Sequence, residues 1–303
     1  MNLRSPTEDD LPEITALFNA PSQEFYGLNA ASEQLLRTWL TSPTTDVERN
    51  LRLAVVDGTI VGYADVDPRS SNPTRCWAEI AIRRTAGFDA AAATLLEWAE
   101  ARSRQEPEPA LLRTSVLQRD EQMRRAVSEH GYSLIRHSYT MEIDLGDTIA
   151  TPVWPEGIHV RTIRDGEARA VWEVHEETFA DTWEYPGASF EEWKHWMLDG
   201  PMFAPDLWFL VLAGDEIAGI CLCRVSDREP DLGWVQILAV RRPWRRQGLG
   251  RASLQHAFSE FGARGFGRVG LGVDAASLTG ADRLYESAGM RVVRRRDLYE
   301  KLL

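Results

Sequence analysis

The sequence predicts an α/β (α+β) protein with two tandem domains of one fold, each a mixed central sheet flanked by helices. Short apolar runs with strand character alternate with longer segments of helical periodicity. The second half of the chain repeats the order of elements found in the first half. A length of 303 residues also fits two domains of about 150 residues each.

The internal repeat is clearest at the end of each half. SEHGYSLIRHSYTMEIDL, which ends at Leu145, resembles ESAGMRVVRRRDLYEKLL, which ends at Leu303. This match places Gly131 opposite Gly289, 158 positions later (289 minus 131). A repeat as long as a domain indicates gene duplication and not a solenoid of short units.

The C-terminal half shows most clearly how the elements follow one another. The predicted strands are Ile158–Ile163, Leu207–Leu212, Ile217–Val225, Trp234–Val240, Val269–Val273 and Arg291–Leu302. The predicted helices are Glu167–Thr182, Phe190–Leu198, Gly248 to about Phe261, and Gly280–Ser287. Asp215, like Asp57 and Gly58 in the first half, fits a hairpin turn. The predicted domains are 1–147 and 158–303, with a linker at 148–157 where prolines and glycines interrupt both periodicities.

Composition narrows the class of partners. The net charge of −12 argues against nucleic-acid binding, which needs a basic face. The sequence has neither a long apolar run nor an N-terminus suited to a signal peptide, so we expect a cytoplasmic protein that binds no membrane. The three cysteines form neither a disulfide framework nor a metal-ligand pattern, and no metal is expected. The chain is expected to be a monomer or a homodimer.

One short stretch carries the strongest signal for a ligand. In VQILAVRRPWRRQGLGRASLQHAF, from Val235 to Phe258, a strand leads through a basic turn with two glycines into a helix. Glycine lets backbone N–H groups approach a ligand closely, and the start of a helix favours a phosphate or pyrophosphate. A basic loop that only caps a helix is the simplest alternative. A dinucleotide-binding turn would need a third glycine, but position 253 is serine.

Two motifs in this half resemble one known family. RRQGLG after ILAV is similar to the acyl-CoA-binding motif of GNAT-type (GCN5-related) N-acetyltransferases, and VDAASLTGADRLYESAGM, from Val273 to Met290, resembles that family's last helix and its flanks. The two-domain arrangement is similar to that of mycothiol synthase. The resemblance implies an acetyl-CoA-dependent N-acetyltransferase that transfers its acetyl group directly to an amine.

The same resemblance implies roles for individual residues. Tyr285 matches the tyrosine that returns a proton to the departing thiolate. The implied donor-binding residues are the backbone of Leu238, Ala239 and Val240 for the pantetheine arm, then Arg245, Arg246, Gln247, Gly248, Leu249, Gly250 and Arg251 for the pyrophosphate, and Ser277 where many relatives have asparagine.

The first half lacks these residues. At an offset of 158, Gly248 falls on Ala90, Gly250 on Ala92 and Tyr285 on Val127. We therefore expect the N-terminal domain to be a degenerate, non-catalytic copy with a structural role.

The acceptor is less clearly specified. In the family that the sequence resembles, the first helices of the domain form the acceptor wall. Here that region, from Glu173 to Trp196, mixes acidic and aromatic residues, which suits an ammonium-bearing substrate, a small-molecule amine or a peptide N-terminus. The candidate substrate residues are Glu176, Asp181, Glu184 and Gln236. A solvated acidic helix face is the alternative, and the general base stays open among His175, Glu176 and Glu184. A non-catalytic acyl-CoA-binding sensor is the alternative function.

Overall fold

A computed structural model describes residues 1–42, 45–68, 75–106, 111–146, 150–185, 187–200, 203–276 and 280–303. Residue contacts divide the chain into two compact units. Unit 1 is Met1–Ser138 with Arg294–Leu303, and unit 2 is Tyr139–Val293. Within the described residues, no helix combines the length and apolarity that a membrane crossing requires.

Unit 1 is a mixed sheet with helices on both faces. Its strands are β1 (Asn2–Arg4), β2 (Leu51–Val56), β3 (Thr59–Asp67), β4 (Arg75–Ile82), β5 (Leu111–Leu117), the start of β6 (Ser133–Asp144) and the end of β12 (Arg291–Leu302). Its helices are α1 (Leu11–Tyr26), α2 (Glu33–Leu40), α3 (Val47–Asn50), α4 (Phe88–Ser103) and α5 (Glu121–Glu129), with a short 3₁₀ turn at Glu8–Asp10. Strands β1 to β4 pair antiparallel in order, β4 and β5 pair parallel, and β5 pairs antiparallel with β12.

Two apolar layers hold unit 1 together. Leu11, Ile14 and Leu17 of α1 pack with α2 against one face of the sheet. Helices α4 and α5 pack against the other face, where Leu95 and Leu96 are fully buried. Because burying such a side chain contributes about 1.5–3 kcal/mol, these layers determine which side of the sheet each helix occupies.

Unit 2 repeats this order. Its strands are the end of β6, β7 (Ile158–Thr162), β8 (Trp208–Ala213), β9 (Glu216–Val225), β10 (Leu232–Val240), β11 (Arg268–Asp274) and the start of β12. Its helices are α6 (Ala168–Phe179), α7 (Phe190–Met197), α8 (Leu249–Ala263) and α9 (Ala281–Ser287), with 3₁₀ turns at Pro205–Leu207 and Arg242–Trp244. Strands β7 to β10 pair antiparallel in order, and β10 pairs parallel with β11.

A bulge in β10 exchanges the faces of this strand, because its register with β9 shifts between Val235 and Ile237. Val235 belongs to the apolar layer under α8 and α9, whereas Ile237 and Ala239, beyond the bulge, belong to the layer under α6 and α7. Gly233 permits the closest contact on the face under α8, since a Cβ there would lie 2.5 Å from a ring atom of Phe261. Helix α8 therefore packs closely against β10.

The elements and the mixed sheet predicted from the sequence are confirmed, with bounds that differ by a few residues. The predicted helix Glu167–Thr182 is shorter, since α6 spans Ala168–Phe179. Both hairpin turns are present, with Gly58 at φ 79° and Gly214 at φ 62°.

The residue boundaries of the two compact units differ from the domain boundaries predicted from the sequence. The predicted first domain ends at residue 147, whereas unit 2 already begins at Tyr139. The chain's last residues, Arg294–Leu303, belong to unit 1, where β12 pairs with β5 from Arg296↔Leu117 to Leu302↔Leu111. Each unit is thus completed by a strand segment from the other half of the sequence.

Candidate active site

Strands β10 and β11 separate halfway along their length. Their parallel pairing runs from Leu232↔Arg268 to Val235↔Leu271 and then ends, although β10 continues to Val240. The antiparallel register of β10 with β9 also shifts between Val235 and Ile237, which marks a bulge at Gln236. The β11-facing backbone edge of residues 238–240 is therefore left for another partner, in the place where the resemblance implies a pantetheine arm.

The turn after β10 has the backbone form of an anion-binding nest. Arg246 has φ 64° and Gly248 has φ 88°, so two left-handed residues lie within three positions. Such alternation points successive N–H groups into one concavity. Gly248 is also the N-cap of α8 and offers no side-chain acceptor to the N–H groups of the first turn. A Cβ on Gly248 would meet no protein atom within 4 Å, so the space in front of this turn is open.

The arginines around the turn fall into two groups. Arg241 donates to Glu177 (2.8 Å) and Glu216 (2.9 Å). Arg242 and Arg245 both form ion pairs with Asp181. Among the ion pairs of the described residues, none involves Arg246 or Arg251, and both side chains are exposed. Two arginines are thus available to an anion at the turn, and three are held by acids of the protein.

Asp181, predicted as a substrate residue, lies beside the glycine turn, where it bonds two of the turn's arginines. Its carboxylate accepts bonds from Arg242 Nε at 3.1 Å and Arg245 Nη1 at 2.8 Å, and Arg242 Nη2 also contacts it. Bonds from Arg242 and Arg245 lower the pKa of Asp181 to about 2, so it is ionised at neutral pH. Both oxygens are engaged by arginines, so a substrate ammonium would have to compete with Arg242 and Arg245 for this carboxylate.

Tyr285 is placed by α9 beneath the point where the strands separate. It belongs to the same buried cluster as Val235 and Leu271, the last paired residues of β10 and β11. Burial, and to a smaller extent Cys221, raises the pKa of Tyr285 to about 12. No hydrogen bond to its hydroxyl is found among the described residues. Tyr285 therefore keeps its proton at neutral pH and is free to donate it.

The acidic helix α6 anchors the loop that follows it. Glu176 accepts a bond from the Tyr185 hydroxyl (2.7 Å) and another from the Ala188 N–H (3.2 Å). Both oxygens of Glu176, one of the proposed substrate residues and possible bases, thus bind protein groups. His175 packs edge-on against Phe179 and Tyr185, and burial lowers its pKa to about 4, which makes it a weak base.

The other predicted residues are placed as follows. Gln236 is exposed on the bulge and accepts a bond from Arg224 Nε at 3.0 Å. Glu184 adopts a left-handed φ of 51° in the loop after α6. Ser277 lies outside the described residues. Gln247 donates to the Pro243 carbonyl at 3.0 Å and so closes the turn on itself.

Unit 1 has the separated strands but a different turn. The parallel pairing of β4 and β5 ends at Ala78↔Thr114, although β4 continues to Ile82. Helix α4 then begins at Phe88 with Gly87 as N-cap at φ −92°. Ala90 therefore lies inside a helix, where Gly248 of unit 2 forms a left-handed turn. Val127, opposite Tyr285, is fully buried.

Sequence reasoning assigned Arg245 to the pyrophosphate and did not anticipate that Arg241, Arg242 and Arg245 are bonded to acids of the protein. For Arg241 and Arg242, the internal repeat already indicated a structural role. Arg83 and Arg84 occupy the positions of Arg241 and Arg242 in the half that lacks the glycines. Arg83 donates to the Ile60 carbonyl at 3.0 Å, as Arg241 does to the Ile217 carbonyl at 3.3 Å. A residue kept in a half without the site was already more consistent with a structural role.

Comparison with known proteins gives one family. The family profile described as "Acetyltransferase (GNAT) family" matches residues 168–290. A protein from Streptomyces bingchenggensis named "Mycothiol acetyltransferase" is 30% identical over 257 residues, which is 82% of this chain and 80% of that protein. One of the same name from Catenulispora acidiphila is 25% identical over 95% of this chain and 94% of its own.

Solved structures agree with these matches. A GCN5-related N-acetyltransferase from Sphaerobacter thermophilus superimposes with a TM-score of 0.78 at 32% identity, over 99% of this chain and 95% of its own. A tandem GNAT protein from the clavulanic acid biosynthesis pathway matches with a TM-score of 0.74 over 99% of this chain and 98% of its own. At 14% identity, that second likeness concerns the fold.

Proposed function

We propose, since the chain belongs to the GNAT family of N-acetyltransferases, that unit 2 binds acetyl-CoA at the turn between β10 and α8 and transfers its acetyl group to a small-molecule amine. The observation that carries this proposal is the left-handed turn at Arg246 and Gly248, which opens α8 beside the separated strands. Unit 1, whose turn is replaced by helix, is assigned a structural role.

The residues present fit a pyrophosphate. The concave turn supplies backbone N–H groups from Arg246 to Gly250, and the first turn of α8 adds a partial positive charge. Arg246 and Arg251 supply the counter-charges. Arg245 is assigned to the shape of the turn, because its guanidinium is already bonded to the Val240 carbonyl and Asp181.

The pantetheine arm is assigned to the free edge of Leu238, Ala239 and Val240. Backbone groups of an unpaired strand edge bind an extended amide chain as a neighbouring strand would. This places the acyl end towards the bulge at Gln236 and above the cluster that contains Tyr285.

Acetyl-CoA supplies an activated acetyl thioester, and the protein groups supply orientation and protons. A backbone N–H of the free β10 edge is assigned to stabilise the negative charge that develops on the carbonyl oxygen. Tyr285 donates its proton to the departing sulfur, a role suited to a buried phenol that stays protonated. No residue is assigned as the general base, because Glu176 and His175 are both poorly placed to accept a proton.

The acceptor class comes from the relatives. Those covering most of the chain are named mycothiol acetyltransferases, so a cysteinyl glycoside with a free amine is the proposed acceptor. The net charge of −12 favours such an ammonium-bearing molecule over a nucleic acid.

The test is release of the CoA thiol from acetyl-CoA over a panel of primary amines that includes cysteinyl glucosamine. The proposal expects faster release with at least one small amine and the largest effect with the cysteinyl glycoside. Tight binding of CoA without acceleration by any amine would favour the sensor function instead.

A further inference from the structure

Asp181 joins three parts of unit 2 that meet at the glycine turn. The residue follows α6, and its Oδ2 accepts from Arg245 Nη1 at 2.8 Å. The same guanidinium donates through Nε to the carbonyl of Val240, the last residue of β10, at 2.9 Å. The Arg245 guanidinium is therefore held by two bonds, one to Asp181 and one to the end of β10. The backbone of Arg245 is extended (φ −66°, ψ 154°) and leads into the left-handed turn.

Comparison with unit 1 distinguishes the bond of Asp181 to Arg242 from its bond to Arg245. In unit 1, Glu24 near the end of α1 pairs with Arg84 at 3.3 Å, as Asp181 pairs with Arg242 after α6. Arg84 and Arg242 each lie two residues beyond the end of the preceding strand, β4 and β10. That pair is thus a common feature of both units. Position 87, which corresponds to Arg245, is glycine, so the second bond accompanies the glycine turn alone.

We propose that Asp181 is a positioning residue for the acetyl donor, which acts through Arg245 to fix the shape of the pyrophosphate turn. This rests on the proposed function, because it takes that turn as the place where CoA binds. The bonded guanidinium ties residues 240 and 245 together, which limits the conformations of the five-residue segment, 241–245, between β10 and the left-handed residues. A preformed turn loses less conformational entropy on binding, so the effect is on donor affinity.

The geometry favours this role over the two alternatives for Asp181. As a substrate ligand Asp181 would have to share its carboxylate with the arginines, since Oδ2 accepts from both Arg242 and Arg245 and Oδ1 contacts Arg242. The second alternative is that Asp181 competes with the pyrophosphate, which would require it to bond the same arginines that bind the anion. Arg246 and Arg251, which form none of these pairs, already provide cations at the turn.

The experiment measures CoA binding by calorimetry and steady-state kinetics with cysteinyl glucosamine as the acceptor. Asp181→Asn keeps the size of the side chain and removes its charge. We expect the Kd for CoA and the KM for acetyl-CoA to rise about three- to fivefold, the scale of one partly exposed ion pair. The KM for the acceptor and kcat should stay near wild type, and Asp181→Glu should recover most of the affinity.

Glu24→Gln is the matched control, because it removes the corresponding carboxylate in the unit without the turn. It should leave the Kd for CoA unchanged. Thermal unfolding of each variant checks that it is folded, and if Asp181→Asn is not, Arg245→Gln breaks the same bond from the other side.

The outcomes separate this proposal from the function on which it rests. If the wild type does not bind CoA, the proposed function fails. If the wild type binds CoA and Asp181→Asn binds it equally well, the positioning role is wrong. Tighter binding by Asp181→Asn would identify a competitor, and a rise in acceptor KM alone would identify a substrate ligand; either result overturns the proposal.

Discussion

Comparing Gly248→Ala with Gly214→Ala distinguishes the stability lost to backbone strain from the affinity lost at the proposed ligand site. Gly248 has φ 88°, where an L-residue is strained, and its new Cβ would meet no protein atom within 4 Å. Gly214, in the β8–β9 hairpin of the same unit, has φ 62° and equally open surroundings. Each alanine should therefore cost about 1–2 kcal/mol of folding free energy from backbone strain alone.

Only the change at Gly248 should affect the donor. Its Cβ would project into the space that the proposed pyrophosphate occupies, where it prevents one or two charge-assisted hydrogen bonds to backbone N–H groups. Bonds to charged groups contribute about 1.5–3 kcal/mol each, so the Kd for CoA should rise about ten- to hundredfold or more.

Two measurements on both variants test whether the turn at Gly248 binds CoA. Urea unfolding gives the stability loss, and calorimetric titration with CoA gives the affinity. The site assignment is refuted if Gly248→Ala binds CoA as tightly as the wild type does. It is also refuted if Gly214→Ala loses as much affinity as Gly248→Ala, since the loss would then reflect strain in the unit.

Three further changes test other parts of the structure. Tyr285→Phe should lower kcat about 10²-fold or more by removing the acid while the KM for acetyl-CoA stays near wild type; an unchanged kcat in steady-state assays would exclude the role. Glu176→Ala should lower the free energy of unfolding in urea by about 1–3 kcal/mol, because the Tyr185 hydroxyl and Ala188 N–H lose their acceptor; unchanged stability would show that this loop is held by other contacts. Burial and then Glu79 raise the pKa of Asp65 in unit 1 to about 7. The unfolded chain therefore ionises first, and the contribution of Asp65 to stability is lost as pH rises from about 4 to 7. Asp65→Asn, which cannot ionise, should gain in thermal stability relative to wild type over that range, and a constant difference between pH 4 and 8 would contradict this.

The elements and the glycine turn could be predicted because their causes are local. Strand and helix periodicity depend on neighbouring residues, and a left-handed position such as Gly248 is visible as a glycine. The roles of the arginines could not be read in this way. Arg245 and Asp181 are 64 positions apart, and nothing near either residue specifies the other as its partner.

The exchange of strand segments is not visible in the sequence for a similar reason. The alternating pattern of β12 shows that it is a strand with two different faces. It does not show which sheet the strand joins, because backbone hydrogen bonds to β5 of unit 1 require no particular side chains. A boundary drawn from prolines and glycines at 148–157 therefore could not place Arg294–Leu303 in unit 1.

The comparison of the two units also shows which part of the proposed CoA site is specific to unit 2. Both units have strands that separate after four paired residues, at Ala78↔Thr114 and at Val235↔Leu271. Separation is thus a property of the duplicated sheet, and it does not by itself distinguish the proposed catalytic half. The difference lies in the segment that follows, where α4 starts at Phe88 and α8 only at Leu249, which corresponds to position 91. The three extra residues of helix α4 bond backbone N–H groups that correspond to those the turn of unit 2 leaves free. The glycine turn, and not the separated strands, is therefore the feature of the proposed pyrophosphate site that unit 1 lacks.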